Sequence, residues 1–294
     1  MSRTVTVALD GSPESIAAAG WGAREALLHA VPLRLVHVGE QPPHHYVPFA
    51  GETVPPPGAD RTARLLTEVA ATLARRHPGL DIAAEHVSGR PAQALSALAR
   101  RTPVLVLGSR GLGRAAGYLL GSVAAAVVAR AEHPVVLVRA DADAAGEHLP
   151  DAEGRAAGTG PYRDVVLGLQ LRERPSEALL AYAFDAASRR GAALRVVHGS
   201  APDPAGAADE LAAGGDGSCA AALRPWREKY PDVEVVEETV IGSAGPHLAD
   251  ASQEASLVVV GRRTRHAAVG PHIGPVLDTL LRHADAPVAV VPHD

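Results

Sequence analysis

The sequence predicts an α/β protein built from two tandem, doubly wound domains, each with a five-stranded parallel sheet. Three observations carry this. Short apolar runs alternate with longer amphipathic stretches, the order expected of a parallel sheet with helical crossovers. The pattern occurs twice in 294 residues, enough for two ordinary domains. Near the end of the first copy, the apolar run Val104 to Leu107 leads into Gly108, Gly111 and Gly121-Ser122, and a helix-like run from Val123 to Ala131 leads out.

Taken in order, strands fall near 4–9, 33–38, 80–87, 104–108 and 134–139. Most are continuous apolar runs, as expected where helices cover both faces of a sheet. Helices fall near 13–30, 60–77, 91–101 and 121–131. Leu65, Leu66, Val69 and Leu73 make an apolar stripe at helical spacing. Pro13 and Pro91 stand at first helical positions, where the missing N–H costs nothing. The proline-rich stretch Gln41 to Asp60 and its counterpart Ser200 to Gly217 read as surface loops that either cover a ligand or merely connect.

The second copy follows the first closely. Leu33 to Val38 reappears as Leu194 to Gly199, and Thr4 to Asp10 is echoed by Asp164 to Gln170. From Val104 onward the copies align without a gap, Gly108 over Gly261 and Gly121 over Gly274. Residues 141–160 are rich in Ala, Gly, Asp and Glu and lack periodicity, so they read as a linker between domains at 1–140 and 161–294.

Composition excludes several classes. A formal net charge of −5 gives no electrostatic case for nucleic acid as a partner. No run of 18 apolar residues argues for a membrane span, and no N-terminal apolar run argues for a signal peptide. Cys219 is the single cysteine, so an internal disulfide is impossible and a reducing, cytoplasmic setting is expected. Lys229 is the single lysine, and no phosphate-binding G-x-x-x-x-G-K-[ST] loop occurs. The 14 histidines show no zinc-ligand spacing and read as surface or packing residues. Gly111-Leu112-Gly113 with Gly117 mimics a dinucleotide fingerprint but follows the fourth strand rather than the first. No catalytic residue is assigned.

A glycine-rich turn from strand end to helix start lets backbone N–H groups approach phosphate, and the helix dipole favours the anion. Gly108, Gly111 and Gly121 therefore read as a nucleotide site, with Ser122 either a phosphate contact or a helix N-cap. Asp10 ends the first strand, where it either meets a ribose, base or metal or serves as a helix N-cap or turn residue. Val38 ends the second, where it either receives a base or packs the core.

These residues, with Ala8 to Ser12, His37-Val38 and the glycine spacing in a duplicated chain, resemble the universal stress protein family in its tandem, nucleotide-binding form. The resemblance implies an adenine nucleotide alpha-hydrolase-like fold and ATP, with magnesium, or else ADP or AMP. By that resemblance Asp10 faces the ribose, Val38 and Leu107 border the adenine beside Ala8, and Gly108, Gly111, Gly121, Ser122 and Val123 line ribose and phosphates. It implies a stress-response regulator with at most weak ATP hydrolysis, the alternative being a structural or interaction protein with a vestigial site. It also implies pairing through the last strands. Val135 to Val138 and Val288 to Val291 are apolar edges whose mutual pairing would place the halves about a pseudo-twofold axis. Homo-oligomers on top of that are expected.

The second copy departs from this pattern. Gln170 replaces Asp10, Thr264 replaces Gly111 and Pro275 replaces Ser122. A β-branched residue resists positive φ, and proline removes an N–H from the phosphate end. The second domain is thus expected to bind nucleotide weakly or not at all. Arg262, Arg263 and Arg265 there read as a solvated loop or an anion contact.

Overall fold

The first strand, β1 (Val5–Leu9), sets the frame of the first half. In the computed structural model it pairs in parallel with β2 (Leu33–Gly39) on one side and β4 (Val104–Gly108) on the other. β3 (Ile82–Ser88) lies outside β2, and β5 (Val135–Val138) lies beyond β4. The structure describes residues 4–39, 59–109, 121–151, 153–155, 158–171, 175–200, 219–264 and 273–293. The second half repeats the arrangement with β6 (Asp164–Leu169), β7 (Leu194–Ser200), β8 (Val235–Ile241), β9 (Ala255–Arg263) and β10 (Val288–His293).

The ten strands form one sheet in the order β3-β2-β1-β4-β5-β10-β9-β6-β7-β8. The order reads the same from either end. All described pairs are parallel except the central one, where β10 runs antiparallel to β5 with Val288 opposite Leu137 and Val290 opposite Val135. The apolar last strands bury each other's edges, as their sequences predict.

Helices cover both faces. On one lie α1 (Pro13–His29), α2 (Ala59–Arg76), α6 (Glu177–Arg190) and α7 (Cys219–Lys229). On the other lie α3 (Pro91–Ala99), α4 (Ser122–Arg130), α8 (Ala244–Ala251) and α9 (Pro275–His283). Strand residues alternate between the two layers. Val7, Leu35 and Val106 pack under the first set, Val36, Leu105 and Leu107 under the second. Within 141–160 lies one turn of helix, α5 (Ala144–Glu147), capped by Asp143, and a bridge joins His148 to Tyr162.

Helix starts and stops follow local chemistry. Pro13 and Pro91 occupy first turns as expected, and Ser12 caps α1 by accepting from Ser15 N at 3.2 Å. The left-handed stop after α6 is Gly191 at φ 57°, whereas the equivalent stop after α1 is Ala30 at φ 50°.

α1 and α6 meet across the join between the halves. There Arg190 donates to Glu25 at 2.6 Å, with both side chains almost wholly buried. Arg24 pairs with Glu147, and its Nε donates to the same carboxylate at 3.1 Å. Among the described residues no helix is long and apolar enough to cross a membrane.

Candidate nucleotide site

The carboxyl ends of β1 and β4 lie side by side in the first half. The chain leaves β1 through Asp10 and Gly11, the latter at φ +84°, a left-handed conformation that suits glycine. Asp10 Oδ1 accepts from Ser12 N at 2.9 Å and from Ser12 Oγ at 2.5 Å. Asp10 thus holds the turn that places Ser12 on α1, and it remains an exposed carboxylate at the strand end.

Gly108 ends β4 against the first turn of α1. A Cβ there would lie 2.7 Å from both the Glu14 carbonyl carbon and Ser15 N. Backbone fills that space, so Gly108 is required by the packing of α1 onto β4. The same close approach brings the Asp10 turn beside the start of the glycine-rich crossing.

Beneath these turns lies an apolar surface. Val38 and Leu107 are buried in the cluster under α3 and α4, and Ala8 and Val123 pack against it partly buried. His37 Nδ1 lies 2.8 Å from Leu9 O, which ties the end of β2 to β1 beside Val38. The structure therefore gathers Ala8, Asp10, Val38, Leu107, Gly108 and Val123 at one end of the sheet.

α4 begins at this end without a side-chain cap. Gly121 is the N-cap residue, with φ −56° and ψ 142°, and Ser122 is an exposed first helical residue. This corrects the N-cap reading of Ser122: the capping position precedes it, and a glycine there leaves the first-turn N–H groups without a hydroxyl partner from the cap. Gly111, with the rest of 110–120, lies outside the described residues, as do residues 40–58 and 201–218.

The second half closes the same place. In the first half the pairing of β4 with β5 stops at Gly108 opposite Val138, followed by Ser109 N donating to Val138 O at 2.7 Å. In the second half β9 runs past Gly261, with Arg262 opposite Pro292 and Arg263 opposite His293. Thr264 then bonds His293 O through both its N–H, at 2.6 Å, and its hydroxyl, at 3.0 Å. The His293 ring lies over Gly261, 2.6 Å from where a Cβ would stand. Gln170 is exposed at the end of β6, and Pro275 opens α9 behind Gly274.

Two expectations for this half are corrected. Thr264 is not strained at positive φ, because among the described residues Ala30 is the non-glycine residue with positive φ. Thr264 instead bonds on to His293 O at the end of the ladder. Arg262 is not a solvated loop residue. It is buried, and its Nη2 donates to Ala131 O at 2.6 Å. Desolvation lowers its pKa from the usual guanidinium value. Arg263 is exposed, and Arg265 lies outside the described residues.

Sequence spacing does not disclose a second cluster. The ligand-type atoms of His198, Cys219 and Glu237 lie within 4.8 Å of one another. They come from β7, α7 and β8, and only the pairing of those strands under that helix brings them together.

A model of the universal stress protein family matches residues 1–139 and 161–292. The chain is 33% identical over 297 residues to universal stress protein Rv2005c of Mycobacterium tuberculosis, covering 97% of this chain and 96% of that one. It is 31% identical over 298 residues to a universal stress protein of Mycolicibacterium smegmatis, covering 98% and 96%. Its fold is similar to the crystal structure of a universal stress protein from Archaeoglobus fulgidus, with TM-score 0.69, 17% identity and full coverage of both chains. The duplicated match over both halves, with relatives that share the full length, means that this chain belongs to the universal stress protein family, in its tandem two-domain form.

Proposed function

We propose that the first domain binds ATP or a related adenine nucleotide and that the protein acts as a cytoplasmic stress-response regulator rather than as an enzyme. One contrast carries the reading. β4 releases its ladder at Gly108, whereas the equivalent β9 pairs onward through Arg263, with Thr264 bonding His293 O beyond it. Val38 and Leu107, beside Ala8, would border the base, and Asp10 would meet the ribose hydroxyls. The N–H groups of Ser122 and Val123 at the start of α4, with magnesium accompanying the anion, would hold phosphate.

The same residues argue against rapid turnover. The only lysine, Lys229, lies in α7 with its ammonium 5.0 Å from the Trp226 ring, so no lysine serves the phosphate end. Any hydrolysis should therefore fall well below the common enzyme rate of about 10 per second.

Heating the purified protein and resolving the supernatant by anion exchange tests for carried nucleotide, and titration calorimetry gives the count. One ATP, ADP or AMP per chain, abolished by Gly121→Asp, is expected. No binding refutes the reading in favour of a vestigial site. Two equal sites refute the asymmetry between the domains. Phosphate release at ordinary enzyme rates refutes the regulatory role.

A further inference from the structure

We propose that His198, Cys219 and Glu237 form a binding site for a divalent cation of zinc type in the second domain. The site lies apart from the nucleotide reading and does not depend on it.

Three donors of different chemistry converge. A thiol, an imidazole and a carboxylate lie with their ligand atoms within 4.8 Å of one another. Around one tetrahedral zinc such atoms sit roughly 3.5 Å apart, given metal–ligand bonds of about 2.0–2.3 Å. The set therefore needs a contraction of at most about one ångström. Cys219 is fixed in the first turn of α7 with its side chain in the core. Glu237 is exposed and His198 half-buried, so small rotations of these two supply the movement. A sulfur, a nitrogen and an oxygen together favour a borderline ion such as zinc over magnesium or calcium, which prefer oxygen alone.

The surroundings suit the ion. Thr239 Oγ1 lies 3.1 Å from His198 Nε2, the kind of outer hydrogen bond that fixes a ligating imidazole. Arg227 donates to Glu237 Oε1 at 2.8 Å and orients the carboxylate. Metal binding replaces the thiol proton, which passes to solvent. The thiolate and carboxylate then balance the two positive charges of the ion beside a neutral imidazole, which suits a partly desolvated place.

The first domain has the histidine without the site. His37 stands where His198 stands, but Ala84 occupies the register position of Glu237: Leu35 pairs with Ala84 as Val196 pairs with Glu237. His37 instead bonds Leu9 O and stacks on His86 with ring centroids 5.7 Å apart. The cation site is thus a property of the half whose nucleotide corner is closed.

Because Cys219 is the only cysteine, cobalt(II) reports on this place alone through a thiolate-to-cobalt charge-transfer band in the near ultraviolet. The full chain, stripped with chelator, is titrated with cobalt and then with zinc. One cobalt per chain showing that band, displaced by one zinc, is expected. Cys219→Ser abolishes the band, and His198→Ala and Glu237→Gln each weaken binding at least about tenfold. Thr239→Val, which removes only the outer bond, weakens it by about tenfold. Circular dichroism of each variant should match the parent, since three of the four changes are at the strand surface. Cobalt bound without the thiolate band, no binding, or affinity unchanged in both His198→Ala and Glu237→Gln would overturn the proposal.

Discussion

Arg262 of the second domain donates from Nη2 to the main-chain oxygen of Ala131 in the first, 2.6 Å away. Arg139 of the first domain returns the contact, donating from Nη1 to Ala284 O at 2.9 Å. Ala131 and Ala284 are equivalent residues, each the C-cap of the helix preceding a central strand. The donors are not equivalent, since Ser109 and Pro292 stand at the matching positions. The pseudo-twofold thus preserves the acceptor and lets each domain find its own arginine. A helix C-terminus carries orphan carbonyls and partial negative charge, so a guanidinium there is doubly favoured.

Arg262→Leu should therefore destabilise the protein by about 1–2 kcal/mol, the worth of a charged hydrogen bond less the cost of burying the guanidinium. Urea unfolding followed by circular dichroism measures this. An unchanged midpoint would mean that the contact contributes nothing to holding the domains together.

Burial by itself would raise the Glu25 carboxyl, but Arg190 and His29 outweigh it and hold it at about 2 against an ordinary 4.5. A carboxyl depressed in this way contributes stability that is complete above pH 4.5 and is lost as pH falls towards 2. Acid unfolding should steepen in that window and flatten in Glu25→Gln. At neutral pH the same variant should cost about 3–5 kcal/mol, because it leaves the buried Arg190 charge unpaired. The double replacement Glu25→Leu with Arg190→Met should recover most of that loss, since no lone charge then remains. A double variant as weak as the single one would contradict this account.

Ala30 ends α1 in the left-handed region at φ 50°, where its partner in the second domain is Gly191. Alanine pays a steric cost there that glycine avoids, partly offset by the greater freedom of glycine in the unfolded chain. Ala30→Gly should stabilise by about 0.5 kcal/mol, and Gly191→Ala should destabilise by about 1 kcal/mol. Thermal unfolding of the pair, read as opposite shifts in Tm, checks both.

Two glycines at non-equivalent places, the end of β4 and the start of α9, should respond differently to one methyl group. Gly108→Ala drives a Cβ to within 2.7 Å of α1 backbone, and should cost about 2–3 kcal/mol while displacing the Asp10 turn. At Gly274 a Cβ meets no group within 4 Å among the described residues and φ is −63°, so Gly274→Ala should be neutral or slightly stabilising. Equal effects in denaturant titrations would show that the close approach at Gly108 is not what constrains it.

Much of the fold was legible because it rests on local patterns. Continuous apolar strands at 104–107 and 135–138, proline at 13 and 91, and the repeated order required only periodicity and helix-start chemistry. The pairing of β5 with β10 followed from two apolar edges that water disfavours. The role of Ser12 as the cap of α1 and the choice of Gly121 over Ser122 as N-cap did not follow. Capping depends on where the backbone turns, and adjacent residues compete for that place.

The sequence by itself determined the two α/β domains, their order, the strand ends where Asp10, Val38 and Gly108 would fall, and the helix start at Gly121. These follow from hydrophobic period and glycine placement, which act within a few residues. Only the tertiary structure decided what occupies the second corner. There the ladder of β9 on β10 runs on to Thr264 and His293, which no local preference reveals. It also decided that Arg262 faces inward to Ala131, and that His198, Cys219 and Glu237 meet. Those contacts join residues far apart in the chain. Their energies arise from buried hydrogen bonds and charge, which depend on what the fold brings near and not on neighbours in sequence.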